Sequence, residues 1–164
     1  MVVKEAGKCC NGECMPLPQN GRDPCAWAMD NKDLMSPADK NQLRNGSGTM
    51  GYVLCLFGDQ YPCTVPNNFP SSWGQDMQDC ILQEESDHLG STTIRCPPCI
   101  GMATFPDGPT RKDEECAARA DTFACMEDLK AGASSWYRQT INEAQKGMWN
   151  DMNKMGCENL PPEP

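Results

Sequence analysis

The sequence predicts a mainly α, disulfide-stapled helical single domain with long irregular loops and little or no sheet. Three observations predict it. Twelve cysteines are spread over all 164 residues, an even number of the kind that staples small exported folds. Leu, Ile, Val and Phe make up only about 13% of the chain, too little for an unaided core. The second half carries apolar residues at helical spacing, whereas the first is broken by Pro, Gly and Asn. The division expected is a Cys/Pro-rich N-terminal lobe over residues 1–72 and a helical core over 73–157.

Taken in order, residues 1–22 read as an irregular loop holding Cys9, Cys10 and Cys14. Asp23-Pro24 has the form of an N-cap with proline at the first helical position, and a short helix through Trp27 and Met29 follows. Ser36-Pro37-Ala38-Asp39 repeats that signal, with the acid three residues on; the second helix stops near Asn45-Gly46. Tyr52–Phe57, the most apolar run, reads as a buried strand or the start of a helix. Residues 58–72 read as loop.

The stretch Gly74–Gly90 winds as a helix with Trp73, Met77, Cys80, Ile81, Glu84 and His88 on one face. Gly90 marks its end. Ser91–Asp107 reads as an extended loop, and its Cys96-Pro-Pro-Cys99 is too proline-rich for a redox helix. Thr110–Lys130 predicts a helix with a stripe of Cys116, Ala120, Phe123 and Glu127. Cys125 lies opposite Cys116, so the two thiols must bond to different parts of the fold. A last helix begins at Ser134 or Ser135. Its stripe of Tyr137, Ile141, Ala144, Met148, Met152 and Met155 is read as core, with a peptide-binding face as the alternative.

Composition excludes several functions. A net charge of −9 and a pI near 4.5 leave no basic patch for nucleic acid. No stretch has the apolar length of a membrane span. The opening MVVKEAGKCC lacks the apolar core of a signal peptide; either the chain is a domain cut from a longer protein or it is exported without a cleaved leader. The cysteines then predict a secreted or periplasmic, oxidising location. A cysteine protease would need a free thiol that an even count does not leave.

Chemistry concentrates on the third helix. Glu84 and His88, four residues apart, turn toward the interior, and His88 is the chain's only histidine. A buried carboxylate needs compensation: the two side chains pair with each other, bind a cation such as zinc, or line a cleft. A histidine near a helix C-terminus is also favoured by the helix dipole alone.

Cys80–Gly90, CILQEESDHLG, resembles the active helix of zincin metallohydrolases. In that pattern, His-Glu-x-x-His, the two histidines bind zinc and the Glu is the general base on the bound water. The resemblance places Glu84 and His88 as metal ligands and Glu85 as base. Gln83, Glu85, Asp87, His88 and Leu89 also match the peptide deformylase helix, Gln-His-Glu-x-Asp-His-Leu, although that family's other signatures are absent. In both comparisons Glu84 stands where the family has histidine, a degenerate position. Over residues 77–130 the order of Cys80, the Glu84–His88 helix, Cys96–Cys99, Glu115-Cys116-Ala117 and Cys125 resembles Cys-rich domains of bacterial polymorphic toxins and type VI effectors. That resemblance implies Glu115 as third ligand, zinc or another divalent metal as cofactor, and hydrolysis of a peptide or amide bond. It implies a protein or peptide substrate and a cognate immunity protein as partner. The alternative is a non-catalytic, disulfide-rich secreted module that recognises a partner protein.

Overall fold

A computed structural model describes the backbone of Lys8–Cys10 and Glu13–Met15 and all of residues 23–164. The two short N-terminal segments are strands, β1 (Lys8–Cys10) and β2 (Glu13–Met15), paired antiparallel with Cys9 opposite Cys14. They correct the irregular reading there; the rest of the expected loop lies outside the described residues. Helix α1 (Pro24–Asp30) starts as predicted, the Asp23 side chain accepting from the Cys25 N–H. Helix α2 (Pro37–Leu43) is capped by Ser36, which accepts from the Asp39 N–H.

The apolar run resolves as a strand, β3 (Gly51–Leu56), with Tyr52–Leu56 all buried. Its partner, β4 (Asp59–Thr64), lies within the segment read as loop. Pro62 and Cys63 hid it. Proline is tolerated because β4 is an edge strand in the order β4-β3-β5. The hairpin turns at Phe57-Gly58, both with positive φ (50° and 89°), as a two-residue turn joining twisted strands requires. A third strand, β5 (Ile100–Met102), pairs antiparallel with β3 from inside the expected 91–107 loop.

Three helices build the second half: α3 (Gln75–Asp87), α4 (Pro109–Leu129) and α5 (Ser135–Met155). Ser134 caps α5 at the Tyr137 N–H, and Gly156 ends it in the left-handed region at φ 73°. The Met-rich stripe is core: Ile141, Met148 and Met152 are buried against Met77, Phe123 and Met126. On α4 the predicted stripe is displaced. Phe123 is buried, but Ala120 and Glu127 are exposed, and the inward face is Ala118, Thr122, Phe123 and Met126. Helix α4 is covered by both α3 and α5, and small or polar residues at that double contact hide the pattern.

The molecule is therefore mainly helical with one three-stranded sheet and a separate two-stranded pair, and the apolar residues described form two clusters. One gathers Trp27, Leu43, Tyr52, Leu54, Val65 and Ile100 around the sheet; the other lies between α3, α4 and α5. Between described residues, four disulfides tie the elements: Cys25–Cys63, Cys55–Cys96, Cys80–Cys125 and Cys116–Cys157. Cys116 and Cys125 bond in different directions, as their opposite placement on α4 requires. Each bridge closes a loop of 38 to 45 residues, worth about 4 kcal/mol in the chain-entropy treatment. No cysteine is free among the described residues.

Candidate metal centre

Helices α3 and α4 pack side by side, and Cys80–Cys125 locks them one turn from the acidic end of α3. The bridge fixes how the remaining turns face one another. Glu84 and His88 come from α3 and its C-cap, and Glu115 from the first half of α4. The three offer one nitrogen and two carboxylate oxygens that lie within 4.8 Å of one another. The three residues predicted as ligands thus converge.

The imidazole is almost fully buried, 4% exposed, with Nε2 3.2 Å from Glu115 Oε1. Its other nitrogen, Nδ1, is buried with no hydrogen-bond partner. Burial lowers the His88 pKa, Glu115 opposes that shift and Arg111 adds to it; the ring is therefore held toward the neutral form that ligates metals. Phe105 packs on it at 5.3 Å between ring centroids.

Glu84 is pushed toward protonation by burial, against a hydrogen bond from Thr122 and the nearby Arg119. Thr122 Oγ1 lies 2.9 Å from Glu84 Oε2 and 3.0 Å from the Ala118 carbonyl oxygen. A hydroxyl has one proton, so when Thr122 donates to Ala118, Glu84 can keep the contact only by carrying a proton itself. Glu85 lies one residue on, its pKa raised to about 8, first by burial and then by Glu84 and Glu115. It presses on the start of β3: a Cβ at Gly51 would stand 2.8 Å from Glu85 Cγ and Oε1. Glycine there lets the carboxyl reach the sheet. Asp87, also within the deformylase-like run, is exposed and hydrogen-bonded to Asp121.

Two guanidiniums complete the cluster. Arg111 Nη2 lies 2.6 Å from Glu115 Oε1, and Arg119 Nε lies 3.5 Å from Oε2. Arg119 also reaches Asp151 at 3.2 Å, and Arg111 stacks on Phe105, 4.2 Å from the ring centroid. The sequence reading missed both arginines, Phe105, Thr122 and Gly51. The i, i+4, i+8 ladder of Arg111, Glu115 and Arg119 was readable on α4; the approach of Phe105 and Gly51 was not.

A cleft of about 460 Å³ opens beside the cluster, lined by Gly51, Trp73, Glu84, Glu85, Arg119 and Met148 among others. Its walls mix aromatic and aliphatic surface with carboxylates, as ligand-binding clefts commonly do. His88 and Glu115 do not line it, so the cluster is reached past Glu84 and Glu85.

The donor set fits a divalent ion. Donors about 2.1 Å from a tetrahedral ion stand about 3.4 Å apart, close to the 3.2 Å between His88 and Glu115. The bare Nδ1 shows that the imidazole is not fully satisfied by protein partners. Two carboxylates with one imidazole suit several borderline and hard divalent ions, not zinc alone.

The fold and cluster define a mainly helical, disulfide-rich domain with a group that could hold a metal ion. Compared with protein-family models, curated proteins and solved structures, the chain matches none. The four bridges are of the kind that persists in an oxidising compartment. No helix among the described residues is long and apolar enough to cross a membrane.

Proposed function

We propose that this chain is a metal-dependent hydrolase domain of zincin-like character, acting on a peptide or amide bond. We propose further that it is delivered outside the bacterial cytoplasm as an effector or toxin-associated domain, with an immunity protein as its natural partner. One observation carries the enzymatic reading: three donors from two disulfide-locked helices meet beside a cleft, and Glu85 stands at that cleft next to the first of them.

A bound divalent ion would supply a polarised carbonyl and a water acidic enough to attack it. Glu84, His88 and Glu115 would hold it. Glu85 is placed to take the proton of the attacking water on its carboxylate and return it to the leaving amine, the general acid–base role. Trp73 and Met148 form apolar wall along which the substrate chain can lie. Thr122 orients Glu84, and the arginines fix the Glu115 carboxylate.

The test is metal analysis with an amide-hydrolysis assay on wild type, Glu85→Gln and His88→Ala. Expected are one equivalent of metal in the wild type and its loss in His88→Ala. Glu85→Gln should retain metal while activity falls about 10²- to 10⁴-fold. A wild type that holds no more metal than His88→Ala, and hydrolyses nothing, rejects the enzyme.

The second reading, a non-catalytic binding module, draws on the Glu115 ion pairs, which let the cluster stand without a metal, and on Trp136, 64% exposed at the start of α5. Partner binding or toxicity that persists unchanged in Glu85→Gln would favour it.

A further inference from the structure

We propose that Arg111 is the resident cation of the Glu84–His88–Glu115 group, and that it competes with a divalent metal for Glu115, making the metal exchangeable rather than structural. The inference rests on the metal reading above and adds what occupies the site when no ion does.

The geometry at one oxygen carries it. Glu115 Oε1 receives Arg111 Nη2 at 2.6 Å and His88 Nε2 at 3.2 Å. A carboxylate oxygen offers two lone pairs. A ligated His88 no longer donates from Nε2, so an ion would take over that contact and share Oε1 with Arg111. A guanidinium and a divalent ion on one oxygen repel each other strongly in a site this buried, and Arg111 is the group that yields.

The two arginines differ in commitment. Arg119 has a second carboxylate, Asp151, and its Nε makes no hydrogen bond to Glu115. Arg111 has Glu115 as its only ion-pair partner among the described residues, at hydrogen-bond length. It is held there by stacking on Phe105, which also packs on His88. Its position is nonetheless incompletely satisfied: Nη1 is buried with no hydrogen-bond partner. Its side chain is 25% exposed, so solvent is within reach, and an outward swing would hydrate Nη1 while freeing Oε1. The arrangement has two states, guanidinium on Glu115 or metal on Glu115, and each ligand excludes the other.

Calorimetric titration of zinc chloride into chelator-stripped, disulfide-intact protein tests this. Arg111→Gln should bind zinc at least about tenfold more tightly than wild type, the worth of a charge-assisted hydrogen bond no longer displaced. Lys112→Gln removes the adjacent exposed charge without touching Glu115, and should stay within about twofold of wild type. Adding His88→Ala to Arg111→Gln should abolish the gain. Zinc binding to the wild type through His88, with Arg111→Gln no tighter than Lys112→Gln, overturns the competition and leaves the metal reading standing. No His88-dependent binding in either protein overturns both. Should Arg111→Gln fail to fold, the Arg111 side-chain Nε–H resonance of wild type decides: it should move in step with bound zinc, and a resonance unmoved at saturation overturns the proposal.

Discussion

The centre of the sheet and the seam between α3 and α4 are both interior and both pinned by a disulfide, yet they are built from opposite materials. Around β3, Leu54 and Leu56 meet Trp27, Leu43 and Ile100, and Cys55 bonds Cys96. Between α3 and α4, one turn from Cys80–Cys125, lie Glu84, Glu85, His88, Glu115, Arg111 and Arg119. Burying apolar surface stabilises at about 25 cal/mol per Å²; burying charges costs several kcal/mol per ion before pairing offsets it. The sheet would hold without its bridge better than the seam would. Placing a disulfide beside the charged cluster lets the chain keep two helices together where their side chains resist it, and such local conflict is characteristic of a site.

The sharpest way to break this comparison is pH. In metal-free protein, Glu85 titrates near 8 in the fold against an ordinary value of 4.5. Stability from its protonated form is complete below the unfolded value and is lost as pH rises toward 8. His88, shifted downward, works oppositely and loses stability as pH falls below its ordinary 6.5, so above that the fall comes from Glu85 together with Glu84, which burial also shifts upward. Denaturant melts should show stability falling by about 2 kcal/mol between pH 6.5 and 8.5. Glu85→Gln should flatten the fall and exceed wild type by about 4 kcal/mol at pH 8.5. A wild type as stable at pH 8.5 as at 6.5 would show that the seam carries no electrostatic strain.

The sheet supplies the control. Leu54 is fully buried at its centre, and Leu54→Ala should cost about 3 kcal/mol through lost contact and cavity. That loss should be the same at pH 6.5 and 8.5, because the titrating side chains in and against its cluster are the tyrosines Tyr52 and Tyr61, not carboxyls or imidazoles, and burial raises the Tyr52 pKa to about 12. Urea midpoints at the two pH values check it. A pH-dependent cost would mean that the two regions are coupled.

The two regions also differed in how legible they were. The helical half announced itself through periodicity: α3, α5 and their ends follow from Gly90, Ser134 and Gly156. Glu84 and His88 were singled out by resemblance to a known helix and Glu115 by the wider resemblance over residues 77–130, and the packing of α4 on α3 brings the three together. The sheet was half legible, since β3 is too short for periodicity to separate strand from helix. Strand β4 carries Pro62 at an edge where its missing N–H costs nothing. The arginines escaped because a charged residue on an acidic helix reads as solvated surface until its neighbour is known. Whether it faces water or Glu115 is set by packing between helices distant in sequence.

The smallest effect probes a single proton within the cluster. Thr122 is fully buried, and its hydroxyl is shared between Glu84 Oε2 and the Ala118 carbonyl. Thr122→Val keeps the shape and removes the proton. Ala118 can give up its part of the contact, because a helix carbonyl retains its own N–H donor four residues on. Glu84 cannot, since an ionised carboxylate at that depth loses the donor that opposes the upward push of burial. The substitution should therefore cost about 1 kcal/mol, and the cost should rise with pH, because a protonated Glu84 needs the hydroxyl less than an ionised one. A cost independent of pH would mean that the Glu84 carboxyl does not change its protonation state over the range measured, and that the hydroxyl is not what opposes its burial.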